Sequence, residues 1–250
     1  MLFIPLVGVF AVLGVLVLLN LMNNRWREHW YVRTCVLGAL ALLGVGLLDH
    51  QSWAAMGLGL GTYLTGLLWG AGCVVGVMLL YVVGAAMPFT RSFFHDERGG
   101  EQGGLELMRN ALVVVPFGTV LLEEVAFRGV LLAMVSSRYG LAWGVAVSSV
   151  AFGLWHILPS LVMHESNAGV AATIGTGTRA QVVSVVLSVA GTAIAGVVFC
   201  LLLIGSGSLL APMALHWATN GLGFVFSYGL LRRRRRLSAV TPLAGTEQGE

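Results

Sequence analysis

Three ionisable residues, Glu123, Glu124 and Arg128, stand inside an apolar stretch from Ala111 to Val135 that otherwise reads as a membrane helix. Near the centre of a bilayer each such group costs roughly 2.5–3.5 kcal/mol on insertion scales, so a chain keeps them together only where they pair, line a wet cavity or do chemistry. Glu124 and Arg128 are four apart and share one helical face, which makes a charge-assisted pair within one helix easy. Glu123 is rotated about 100° from Glu124 and has no sequence-local cation. It is the candidate to accept and return a proton.

Two later segments supply complementary groups. Phe152-Gly-Leu-Trp-His156 ends just before Pro159, so His156 falls in the last turns of its helix with Phe152 one turn earlier on the same face. His216-Trp-Ala-Thr-Asn220 holds another pair one turn apart. Taken singly, a histidine near a helix end is usually interfacial and an asparagine in a membrane bundle usually bonds a neighbouring helix. Taken together they offer a carboxylate and an imidazole to polarise one water, and donors to hold the oxyanion formed when that water attacks a carbonyl. No serine or cysteine nucleophile is well placed, so the chemistry suggested is hydrolysis by activated water.

In order and spacing these residues resemble the CAAX prenyl protease and bacteriocin-processing (CPBP) family of intramembrane proteases. Glu123-Glu124-Val-Ala-Phe-Arg128 matches EExxxR, Phe152 to His156 matches FxxxH, and His216 to Asn220 matches HxxxN; the similarity runs from about Arg109 to Phe224. The resemblance implies a helical-bundle endopeptidase whose site opens within the membrane, cutting near a prenylated C-terminus in eukaryotic and archaeal members. It implies that Glu123 and His156 activate the water, that His216 and Asn220 bind the oxyanion, and that Glu124 and Arg128 shape and neutralise the site. Phe127, Gly129 and the Gly-Ser-Leu-Leu-Ala-Pro run before His216 also look like the family's surroundings.

No cofactor is expected. The alternative is a zinc ion on Glu123, His156 and His216, two imidazoles and a carboxylate as in metallopeptidases, although no HExxH is present. All fourteen basic residues are arginine. A lysine-free chain resembles bacterial proteins from GC-rich genomes, and bacteria generally lack prenylated CAAX substrates. The expected partners are therefore a membrane-associated peptide or protein substrate and the lipid bilayer, with no nucleic acid. Two rival classes are a catalytically silent immunity or scaffold protein with the same motifs, and a proton-coupled transporter. The transporter would need an inverted repeat, and the first three apolar segments hold no counterpart of the Glu-Glu helix.

Positioning these groups requires a polytopic helical bundle. With 57% apolar and only 10% charged residues the chain is no ordinary soluble domain, and its apolar runs of about twenty residues without two-residue alternation are helices, not barrel strands. Hydropathy predicts an all-α bundle of seven spans: Leu2 to Met22, Thr34 to Leu48, Leu60 to Met87, Ala111 to Ser136, Leu141 to Leu158, Val182 to Ile204 and Ser208 to Leu231. The second span is short, which leaves room for an eighth, re-entrant or split element around Trp53 to Leu60.

The sequence divides into N-terminal membrane helices over 1–108, a catalytic core over 109–231, and a basic then disordered tail over 232–250. Arginines fall on alternate connections, Arg138 excepted, which predicts a multi-pass protein of the cell membrane with its N-terminus outside and C-terminus in the cytoplasm. Arg25 and Arg27 follow the first apolar run, the reverse of a secretory signal, so that helix is read as retained. Loops are expected over 91–106, where Phe93 and Phe94 could touch the membrane surface, and over 160–180. Arg232 to Arg236 are read as a topology anchor, and Cys35, Cys73 and Cys200 lack the spacing of a disulfide framework or zinc ribbon.

Overall fold

The computed structural model describes residues 4–26, 30–87, 104–166 and 177–240, and among these no strand occurs. Helix α1 (Ile4–Leu21) runs into a wide turn, Met22–Trp26, and is followed by α2 (Tyr31–Leu48). Helix α3 (Tyr63–Ala86) follows a short tight turn, Leu60–Thr62. The long helix α4 (Gly104–Tyr139) carries the two glutamates. Next come α5 (Leu141–Trp155), α6 (Ile157–Ser166), α7 (Thr178–Ser206) and α8 (Leu210–Val240).

Among the described residues six helical spans are long and apolar enough to cross a membrane: α1 to α4, α5 together with the first turn of α6 (Leu141–Leu161), and α7. Helix α8 is long enough at 31 residues, but His216, Thr219 and Asn220 dilute its apolar character. It nevertheless packs into the bundle, where Gly66 and Gly70 of α3 lie against Ser208, Leu210 and Ala214. Such small residues let backbones approach when no hydrophobic force drives helices together in lipid. Large apolar side chains such as Phe10 and Val17 of α1, Leu64 and Leu68 of α3, and Leu187 and Ile194 of α7 face outward. That surface suits hydrocarbon.

Elements end where backbone chemistry stops them. Gly207, with φ of 68°, closes α7 in the left-handed conformation that glycine adopts without a Cβ penalty, and its N–H reaches the Leu203 carbonyl. Pro159 lies in the first turn of α6, where its missing N–H is tolerated. In a continuous helix that N–H would have served the Trp155 carbonyl, so the chain breaks at His156. Pro116 lies inside α4, and the helix around it, Asn110–Val120, adopts wide turns with i→i+5 bonding; a second wide stretch covers Glu124–Leu131. Widened turns of this type are frequent at functional sites.

Each proline exposes one carbonyl, and another helix covers it. With i→i+5 bonding the carbonyl of Ala111 would need the N–H that Pro116 lacks, and the Trp217 indole of α8 donates to it at 2.8 Å. The Trp155 carbonyl receives the Asn20 amide of α1, also at 2.8 Å. In hydrocarbon an unpaired carbonyl costs several kcal/mol, so these cross-links fix helix positions.

One core joins α1, α2, α4, α5 and α7 through Val12, Leu16, Leu42, Leu122, Val125, Val130, Met134, Phe152 and Phe199. At one end, the α4–α5 junction, Arg138 forms a two-pronged contact with Asp49, one arm at 2.8 Å. The arginine that breaks the alternation of charge is thus neutralised by its own anion.

Several expectations need correction. The segment from Trp53 to Leu60 forms turns instead of a re-entrant helix; its Met56 is fully buried and Gly57 accepts the Leu209 N–H at 2.9 Å. The loop expected from residue 160 is helical through Ser166, because Pro159 starts a helix as well as ending one, and α7 begins at Thr178. Helix α4 starts at Gly104 inside the expected loop, and α8 continues past Leu237 to Val240. Phe93, Phe94 and residues 241–250 lie outside the described residues.

Candidate active site

Glu123 sits near the middle of α4, in the short turn between its two wide stretches, and Glu124 opens the second. Glu124 and Arg128 are fully buried and Glu123 and His216 nearly so. Arg128 Nη1 donates to Glu124 Oε1 at 3.2 Å, the pairing expected from their spacing, here made across a turn wider than an α turn. The remaining guanidinium nitrogens Nε and Nη2 find no hydrogen-bond partner. Instead the group lies against aromatic rings, 3.9 Å from the Phe152 centroid and 4.7 Å from that of Phe199. A delocalised cation stacked on ring faces is stabilised by their quadrupoles, an arrangement arginine suits better than lysine.

His216 reaches from α8 to both carboxylates. Its Nδ1 is 2.7 Å from Glu124 Oε1 and its Nε2 is 3.7 Å from Glu123 Oε2. A carboxylate on Nδ1 fixes the ring's orientation and directs Nε2 toward Glu123. Phe199 stacks on the imidazole with centroids 5.0 Å apart. Trp155 of α5 donates its indole N–H to Glu123 Oε1 at 3.0 Å, while Glu123 Oε2 has no hydrogen-bond partner.

His156 caps the end of α5, with Nδ1 2.8 Å from the Phe152 carbonyl. Because a carbonyl only accepts, Nδ1 carries a proton, and Nε2 is the ring nitrogen left outside this bond. The ring packs edge-on to Phe152 at 4.7 Å. Asn220 lies one turn beyond His216 and is exposed, without a bond to the buried cluster. The structure thus gathers Glu123, Glu124, Arg128 and His216 into one contact network, sets His156 beside it through Phe152, and leaves Asn220 at its edge.

For a zinc ion on Glu123, His156 and His216 the donors do not fit: among the described residues no three His, Cys, Asp or Glu side chains converge as a metal would require.

Trp155, Phe199 and Asn20 were missed as site residues. Trp155 lies within the quoted motif, and a buried indole N–H in an apolar helix demands an acceptor, which is the signal that could have marked it. Asn20, at the end of an apolar run, carries the corresponding signal for an interhelical bond. Phe199 has none, since nothing distinguishes one phenylalanine among the apolar residues of α7.

A polytopic helical membrane protein with acid, imidazole and guanidinium buried at a helix crossing is the class this architecture defines. Residues 107–222 match the family model Rce1-like, described as Type II CAAX prenyl endopeptidase Rce1-like. The match spans all three motifs and agrees with the resemblance read from them. No curated protein and no solved structure matches the chain.

Proposed function

We propose that the chain is an intramembrane endopeptidase that hydrolyses peptide bonds of membrane-associated peptides or proteins, with its catalytic core within 109–231. The observation that carries this reading is the Glu123 carboxylate, buried in the bundle with Oε2 unpartnered and 3.7 Å from an imidazole. A polar atom kept in that state has a use beyond stability.

In the proposed reaction a water lies between Glu123 Oε2 and Nε2 of His156. Glu123 takes one proton as the water oxygen attacks the scissile carbonyl carbon. The resulting oxyanion is stabilised by the Nε2–H of His216 and by the Asn220 amide. Collapse breaks the C–N bond, and the proton held by Glu123 passes to the departing amine. Glu124 holds His216 from behind, and Arg128 balances the charge of Glu124. No step is routed through a metal.

The N-terminus is proposed to lie outside and the C-terminus in the cytoplasm, which puts the His156 end of α5 toward the cytoplasm and the Asp49 end of the bundle outside. The test offers a membrane-anchored peptide to purified protein in vesicles. Glu123→Gln and His156→Ala should each lower turnover by about 10²–10⁴-fold. Unchanged cleavage in either variant sinks the mechanism, and full complementation of a deletion phenotype by Glu123→Gln would favour the silent immunity or scaffold class. A chelator should leave the rate unaltered; loss of activity restored by zinc overturns the metal-independent scheme.

A further inference from the structure

Two oxygens of one carboxylate are treated differently at the centre of this site. Glu123 Oε1 accepts the Trp155 indole N–H at 3.0 Å, whereas Oε2 has no hydrogen-bond partner and faces His216 Nε2 at 3.7 Å. A carboxylate on a flexible stem would otherwise rotate and exchange the two. The indole can hold it because Trp155 is itself held twice. Its ring packs edge-on against Phe127, centroids 5.9 Å apart. Its carbonyl, released by Pro159, is taken by Asn20 at 2.8 Å, and Asn24 in turn donates to Asn20 Oδ1 at 2.7 Å.

We propose that Trp155 is a positioning residue for the general base: its indole N–H, anchored by Asn20 of α1, binds Glu123 Oε1 and reserves Oε2 for the attacking water. This rests on the proteolytic reading above. Neither residue belongs to the positions that define the three motifs. Asn20 lies outside the family-matched region altogether.

Trp155→Phe removes the N–H while keeping an aromatic ring, and Trp155→His returns an N–H donor. Steady-state cleavage of the membrane-anchored peptide should show kcat reduced about tenfold in Trp155→Phe, with KM and the melting temperature unaltered, and partly recovered in Trp155→His. Equal kcat in Trp155→Phe and the wild type overturns the proposal, as does an equal loss in both variants that follows their melting temperatures.

A second readout does not depend on turnover. The ¹⁵N–¹H resonance of the Trp155 indole, assigned by its loss in Trp155→Phe, should move upfield in Glu123→Gln as the charged acceptor is replaced by a neutral one. A resonance that stays in place overturns the bond itself. Absence of cleavage by the wild-type chain overturns the proteolytic reading and the catalytic role of Trp155 with it, and a shifted resonance in that case still establishes the contact.

Discussion

Arg128 is bound by one carboxylate and by the faces of Phe152 and Phe199. Removing one member of a buried ion pair leaves the other without compensation, at about 3–5 kcal/mol, whereas replacing both by apolar or neutral groups is often nearly neutral. Arg128→Met should therefore be strongly destabilising in thermal unfolding, and Glu124→Gln combined with Arg128→Met should recover much of the loss. An additive double variant would argue against a coupled pair. Arg128→Lys should fall between, since a compact ammonium cannot stack on two rings. The pair itself was legible because four-residue spacing survives the change of helical turn. The aromatic cradle was not, because Phe199 comes from a helix whose facing register no local pattern specifies.

Helix α4 departs from an ordinary helix on both sides of Glu123, and Pro116 is the sequence feature that explains the first departure. Its ring conflicts with the carbonyl of residue 112 in an α turn and it offers no N–H to the one before. Pro116→Ala restores a donor and permits the turn to tighten, rotating Glu123 relative to His216. The expected outcome is unchanged or raised thermal stability with cleavage lowered about 10²-fold, as an ångström-scale misplacement of reacting groups costs about that much. Retained activity would show that the widened turn does not orient the base. At Gly118 a Cβ would stand 2.5 Å from Tyr31 Cε1. Gly118→Ala should therefore strain the α2–α4 crossing and break the Tyr31–Thr119 contact of 2.9 Å, at about 1–3 kcal/mol. From sequence, a proline within an apolar run predicts a disturbance but not its form, and for that reason α4 was read as uniform at 3.6 residues per turn.

At the scale of the whole molecule, one ion pair joins distant parts of the sequence. The arginine alternation was readable, and its exception is resolved by Asp49, which lies 89 residues from Arg138 in sequence. Only the fold brings the two together. Asp49→Asn should cost about 1 kcal/mol in thermal unfolding, the scale of a partly exposed pair. It should also leave a free cation on the proposed outer face, which paired reporters at the two termini would read as a fraction of inverted molecules. The long helices and their order were legible in hydropathy, while the turn at 51–59 was not, because it is pinned at Met56 and Gly57 by contacts such as Gly57 with Leu209 that no local pattern announces.

The Asn20 bond has a practical corollary for anyone who would graft the proposed protease core onto another scaffold. A chimera built from residues 107–222 alone would leave the kink before Pro159 with a bare carbonyl in lipid, and the reactive carboxylate would lose its alignment unless the new first helix brought an amide to the same depth.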